Sequence, residues 1–84
     1  MKQPVTIRFS RVPGQRVMNR CYVDCGGRQY VCRQGESVTL PLDAPAQAAI
    51  RMQNCFGRVS ATLEPGQTYL AKVNLLGFVR LQKE

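Results

Sequence analysis

The chain has no histidine and no tryptophan, and only five of its 84 residues are acidic. Without imidazole, no side chain has an unperturbed pKa near neutrality, and Ser-His or Cys-His nucleophile pairs cannot form within the chain. No two carboxylates lie close in sequence, so their spacing gives no indication of a paired-carboxylate site. We therefore predict that the protein is not an enzyme and has no cofactor. Any transition-metal site would have to use the four cysteines and the carboxylates Asp24, Glu36, Asp43, Glu64 and Glu84.

Long apolar runs are also absent. Nowhere do about 18 apolar residues follow one another, and the N-terminal residues contain neither an apolar stretch of signal-peptide length nor a small-residue cleavage site. We expect no membrane span and a cytoplasmic location for the chain as given, although a trimmed precursor would show the same N-terminus. The length supports one small domain, residues 1–84, whose thin core excludes large cofactor-binding architectures.

Apolar and polar residues alternate with period two, and turn signals close each block after about ten residues. This pattern predicts seven short strands, or eight if Gly77 divides the last one, and no helix. An Ala-rich run at 44–50 has helical propensity, but no stripe with helical spacing extends past it, so we favour a strand there. The predicted strands cover residues 5–10, 21–24, 29–32, 37–42, 48–53, 59–64, 68–75 and 78–81.

A single sheet built from these strands would leave one apolar face in water. Two antiparallel sheets packed face to face would bury both apolar faces, as would a sheet closed into a small barrel. We predict a small antiparallel β-sandwich, with the closed barrel as the alternative.

Four segments together resemble small bacterial β-sandwich modules of the PEGA-like type, in which a V-D-G hairpin, a G-E turn and an L-x-P-G-x-x-Y turn recur. The resemblance covers about two thirds of the chain and implies a β-sandwich without catalytic residues. Cys25 stands where those modules usually have glycine. The segments are residues 22–26, 33–36, 38–40 and 59–69.

The four cysteines, at positions 21, 25, 32 and 55, allow several interpretations. A two-residue loop at Gly26-Gly27 would place Cys21 opposite Cys32 as a hydrogen-bonded pair, the wider kind, which suits a disulfide less well. Free thiols are expected without an export signal. One or two disulfides, a zinc site formed by Cys21, Cys25, Cys32 and Cys55, and a reactive Cys25 thiol beside Arg28 are the alternatives.

The net charge is +7, from 12 Lys and Arg against five acids. Such a charge favours association with nucleic acid, acidic partners or anionic surfaces. Nucleic-acid binding rests here on charge alone, because no RNP-type motif occurs; Tyr22, Tyr30, Phe56 and Phe78 are the aromatic residues that could stack on bases. The residues that would bind nucleic acid are Arg8, Arg11, Arg16, Arg20, Arg28, Arg33, Arg51 and Arg58.

The function predicted first is that of a non-catalytic module that binds another protein, associates with itself, or serves as a structural unit, through a sheet face or an edge strand. Nucleic-acid binding is the second hypothesis, and a cysteine-dependent redox or zinc protein is the third. Nothing in the sequence indicates a small-molecule substrate.

Overall fold

The computed structural model describes residues 3–12, 14, 18–74 and 76–84, and these form an all-β structure without a helix. The predicted fold class is confirmed, and Gly77 does separate the last two strands. The predicted turn at Pro13-Gly14 includes Pro13, which lies outside the described residues. The eight strands are β1 (Gln3–Phe9), β2 (Arg20–Cys25), β3 (Arg28–Arg33), β4 (Ser37–Leu42), β5 (Ala46–Met52), β6 (Val59–Leu63), β7 (Thr68–Val73) and β8 (Val79–Lys83).

The strands form two sheets of four, ordered β4-β1-β7-β8 and β3-β2-β5-β6. The two sheets pack as a sandwich, and within the described residues they do not close into a barrel, so the barrel alternative is wrong. Strands β3 and β4 are edges on one side of the sandwich, and β6 and β8 are edges on the other. The sandwich therefore has open strand edges, which closed barrels do not have.

The core consists of the inward positions of both sheets. In β1, Val5, Ile7 and Phe9 are buried, whereas Arg8, between Ile7 and Phe9, is exposed. The Ala-rich segment also follows this two-residue period, because Ala48 and Ile50 are buried while Arg51 is exposed. Its partners on both sides, β2 and β6, supply the ladder hydrogen bonds that override its helical propensity.

The β2–β3 hairpin has the predicted register. Gly26 and Gly27 form its loop with φ of 60° and 77°, conformations that glycine adopts without steric cost. Cys21 lies directly opposite Cys32, and Cys25 lies opposite Arg28.

One strand pair departs from the predicted antiparallel arrangement. Strands β1 and β7 run parallel, with Ile7 beside Tyr69. Parallel neighbours need a long crossover connection, and here the chain between them includes all of β2 to β6. Because this crossover is long-range, the local pattern of alternation carries no signal for it.

The L-x-P-G-x-x-Y segment has a physical explanation in the structure. The hydroxyl of buried Tyr69 accepts a hydrogen bond from the Glu64 N–H at 3.0 Å, across the Pro65-Gly66 turn. This bond joins the end of β6 to β7 and so connects the two sheets at the turn.

Candidate interaction edge

Strand β8 is an edge strand whose outer side is largely unpaired. The Glu84 N–H donates to the Thr68 carbonyl at 2.8 Å, which marks 68 and 84 as a hydrogen-bonded pair of the β7–β8 ladder. Hydrogen-bonded and non-hydrogen-bonded pairs alternate along an antiparallel ladder. Residues 82 and 80, two and four positions before Glu84, therefore also direct their backbone groups toward β7. Leu81 and Lys83 therefore direct their N–H and C=O groups away from β7, toward the open side.

The first position beside this edge is occupied by Phe56, in the connection between β5 and β6. Its N–H donates to the Gly77 carbonyl at 2.7 Å, and its carbonyl accepts from the Val79 N–H at 3.1 Å. These two bonds form a parallel bridge between Phe56 and Phe78, which links a loop of one sheet to the edge of the other. The positions farther along the β8 edge, at Leu81 and Lys83, have no such neighbour among the described residues.

A groove with a volume of about 780 Å³ lies along β8. Four consecutive residues of the strand, 79–82, line it. Because successive side chains point to opposite faces of a sheet, a groove that four in a row line borders the edge of β8 as well as the outer face that carries Lys72 and Arg80. The other lining residues are Arg58, Val59, Lys72, Asn74, Leu76 and Phe78.

The groove is cationic. Arg58, Lys72 and Arg80 line it, and no acidic residue does. Lys72 lies directly opposite Arg80 in the ladder, where like charges destabilise a sheet. Neither side chain has an ion pair in the part of the chain that the structure describes, where the two salt bridges are Arg8–Glu84 at 3.1 Å and Lys83–Glu64 at 3.4 Å.

Apolar side chains lie at one end of the groove. Leu76 is 73% exposed, Phe56 64% and Phe78 46%, and the two phenylalanine rings lie 5.7 Å apart at 44°. Such aromatic and aliphatic groups are costly to leave in water when they are adjacent, and they are enriched where partners bind. The candidate site, called the β8 edge groove below, combines unpaired backbone groups, three cations and this apolar end.

The arginines proposed for nucleic-acid binding lie at several places on the molecule, and three of them share one sheet face. Arg51 stacks on the Tyr22 ring, with 4.4 Å between its Cζ and the ring centroid. Arg20 lies opposite Arg33 at one end of the β2–β3 hairpin, and Arg28 lies at the other end. Arg20, Arg33 and Arg51 therefore lie with Tyr22 on the outer face of the β3-β2-β5-β6 sheet, whereas Arg28 lies away from them.

Arg8 and Arg11, from the same set, make other contacts. Arg8 pairs with Glu84, and the Arg11 side chain packs beside Gly35. Arg16 lies outside the described residues. Of the described arginines in the set, Arg58 alone lines the β8 edge groove.

Sequence reasoning therefore missed Lys72 and Arg80. Both occupy outward positions of predicted strands, which is the pattern of an ordinary solvated face. Only the pairing of β7 with β8 places them opposite each other, so spacing along the chain offers no signal. By contrast, the sequence indicates Phe56 and Phe78 as residues able to stack, and the structure places both at the surface and in contact.

The four cysteines are free thiols. Cys21 and Cys25 are buried, and Cys32 and Cys55 are half-buried. Burial raises the pKa of the Cys25 thiol, which opposes a reactive thiolate there even though Arg28 lies opposite. Among the described residues, no three or more cysteines and carboxylates are arranged to hold a metal ion. The geometry therefore does not support the zinc alternative.

A scan against protein-family models gives no match, and searches of curated proteins and of solved structures likewise return none. The resemblance to PEGA-like modules is not tested by these comparisons and stays a prediction. None of the described residues belongs to a helix long and apolar enough to cross a lipid bilayer.

Proposed function

We propose that the protein is a non-catalytic interaction module that binds an extended, acidic segment of another protein along the β8 edge groove. The observation that supports this most directly is that the groove follows the unpaired edge of β8 and is lined by three cations and no acid. An extended segment can add to a sheet edge through main-chain hydrogen bonds, while pockets beside the edge select its side chains.

The backbone of β8 supplies the first part of this recognition. Leu81 and Lys83 offer outward N–H and C=O groups, as the ladder shows. A partner strand beside them would continue from the position that Phe56 already occupies. It would also pair groups that otherwise form an open edge.

The side chains of the groove supply the second part. Arg58, Lys72 and Arg80 would attract carboxylates of the partner, and such complementarity raises association rates and excludes basic competitors. Leu76 and Phe78 would receive an apolar side chain at the end of the segment. The partner is therefore an acidic segment with an apolar residue at one end.

Self-association through this groove is disfavoured by charge. Two copies joined edge to edge would bring their Lys72–Arg80 pairs together, and each chain already carries a net charge of +7. Nucleic acid would use the cations and the phenylalanine rings but not the outward backbone groups of Leu81 and Lys83. The acidic protein segment accounts for all three features of the groove.

The experiment starts with selection of a phage-displayed library of random peptides on the immobilised protein. We expect enrichment of peptides that combine several carboxylates with an apolar residue. An enriched peptide, labelled with fluorescein, is then titrated by fluorescence anisotropy at physiological salt. Arg80→Glu should weaken its binding about tenfold or more, whereas Arg28→Glu, an equal charge change far from the groove, should not.

Strand addition is tested by Leu81→Pro, which removes an outward N–H without removing a ladder bond to β7. Leu81→Ala is the matched control for lost packing, and only the proline variant should abolish binding. If the proline variant does not fold, hydrogen exchange on the wild-type protein replaces it, with the Leu81 and Lys83 amides expected to gain protection in the complex. Unchanged exchange at both amides, or preference for oligothymidylate over every selected peptide, would overturn the proposal.

A further inference from the structure

Cys21 and Cys32 form a cross-strand thiol pair that the proposed function does not use. They are directly opposite each other in the β2–β3 hairpin, and both side chains face the interior of the sandwich. Cys21 is fully buried, whereas Cys32 is half-buried on the edge strand β3. A small reagent in solvent can therefore reach Cys32 before Cys21.

The backbone spacing of the pair allows a covalent bond. The Gln34 N–H donates to the Asn19 carbonyl at 3.3 Å, so residues 19 and 34 form a hydrogen-bonded pair of the β2–β3 ladder. Cys21 and Cys32 form the next pair of this kind, because they lie two residues farther along each strand. Residues in such pairs have Cα atoms about 5.5 Å apart, within the range of about 4.4–6.8 Å found for disulfides. A disulfide can form here without moving either strand to a new register.

The two sulfurs already interact. The Cys21 thiol donates a hydrogen bond to the Cys32 sulfur, which favours the thiolate at Cys32 and lowers its pKa although burial acts in the opposite direction. The same bond, together with burial, raises the pKa of Cys21. Cys55 lies near enough to add to that increase electrostatically. The more exposed Cys32 is thus the thiol that an oxidant reaches first, and the buried Cys21 thiol lies directly beside it.

We propose that Cys21 and Cys32 form a peroxide-reactive dithiol, in which Cys32 is oxidised first and Cys21 then closes a disulfide. This inference is independent of the proposed peptide binding.

The chemistry needs only a hydroperoxide as oxidant. The Cys32 thiolate attacks one peroxide oxygen, so an S–O bond forms, the O–O bond breaks, and hydroxide leaves. The Cys21 sulfur then attacks the sulfenic sulfur of Cys32, which releases the oxygen as water with the Cys21 proton. Overall, two thiols lose two electrons and two protons, and hydrogen peroxide is reduced to two waters.

The product would join the edge strand β3 covalently to β2. Edge strands are the parts of a sheet most exposed to fraying and to wrong pairing. The disulfide would hold the hairpin in its register under oxidising conditions, and reduction would release it.

The test uses the reduced wild-type protein and one equivalent of hydrogen peroxide. Remaining thiols are blocked with N-ethylmaleimide, and the peptides are mapped by mass spectrometry. We expect a Cys21–Cys32 disulfide, with Cys25 and Cys55 recovered as alkylated thiols. Cys32→Ser should abolish peroxide consumption, whereas Cys25→Ala, a change in a buried thiol outside the pair, should leave the rate and the product unchanged.

The wild-type map tests the pairing even if a variant does not fold. A disulfide from either residue to Cys55, accumulation of Cys32 sulfinic acid without cross-linking, or four alkylated cysteines after peroxide treatment would each overturn the proposal. Recovery of the free thiols with dithiothreitol distinguishes the disulfide from irreversible oxidation.

Discussion

The Phe56 carbonyl accepts a hydrogen bond from the Val79 N–H at 3.1 Å, so a loop of one sheet is paired with the edge strand of the other. This contact does two things. It connects the sheets on the side where β6 and β8 are edges, and it leaves the rest of the β8 edge open. Phe56 and Phe78 therefore contribute both to the stability of the sandwich and to the proposed binding site.

The contact between these rings should be measurable by a double-mutant cycle. Phe56→Ala and Phe78→Ala should each lower the free energy of unfolding, and the coupling energy between them should be about 0.5 kcal/mol, the lower end for aromatic pairs, because both rings are exposed. Urea denaturation of the two single variants and the double variant gives the value. Strictly additive effects would show that the ring contact contributes nothing.

Arg80→Glu should stabilise the free protein while it weakens peptide binding. The substitution replaces a like-charge pair with Lys72 by an opposite-charge pair across the β7–β8 ladder, which we expect to raise the free energy of unfolding by about 0.2–1 kcal/mol. Urea denaturation at low and high salt measures this change, and the gain should decrease as salt screens the pair. A loss of stability would mean that Lys72 and Arg80 do not repel each other in the native state.

Tyr69→Phe should destabilise the protein by about 1 kcal/mol or more, because it leaves the Glu64 N–H without its acceptor at the Pro65-Gly66 turn. The matched control is Tyr30→Phe, since the Tyr30 hydroxyl has no hydrogen bond among the described residues and its loss should have little effect. Thermal and urea denaturation compare the two. Equal effects of the two substitutions would refute a specific role for the Tyr69 hydroxyl.

The stability of the protein should fall as the pH rises above about 9. Burial raises the pKa of Cys25, and the Cys32 hydrogen bond together with burial raises that of Cys21, both above the ordinary thiol value of 9.0. The folded state therefore holds these protons after the unfolded state has released them. Their stabilising contribution is fully present below pH 9 and is lost as the pH rises further.

Urea midpoints between pH 7 and 10, in the presence of a reductant, test this prediction. Cys25→Ala should reduce the decline, because it removes one of the two groups whose folded pKa is raised. A decline identical to that of the wild-type protein would show that Cys25 does not contribute to it.

Much of the local structure was predictable because strands and tight turns depend on residues that are close in sequence. The period of Val5, Ile7 and Phe9 identifies β1, and Gly26-Gly27 sets the hairpin that places Cys21 opposite Cys32. The sequence allows Phe56 and Phe78 to lie at the surface, but it does not predict that their rings are in contact. The sequence also predicts that Cys21 lies opposite Cys32, but it does not predict the hydrogen bond between their thiols.

The sequence by itself determined an all-β sandwich with these strands and turns, because alternation, glycine and proline act over a few residues. Only the tertiary structure decided that β1 runs parallel to β7, that β8 is an edge, and that Lys72 lies opposite Arg80 beside an exposed apolar end. These relationships join residues far apart in the chain. Strand order is selected by burial of the whole core rather than by any local pattern, so the candidate site exists only once both sheets have assembled.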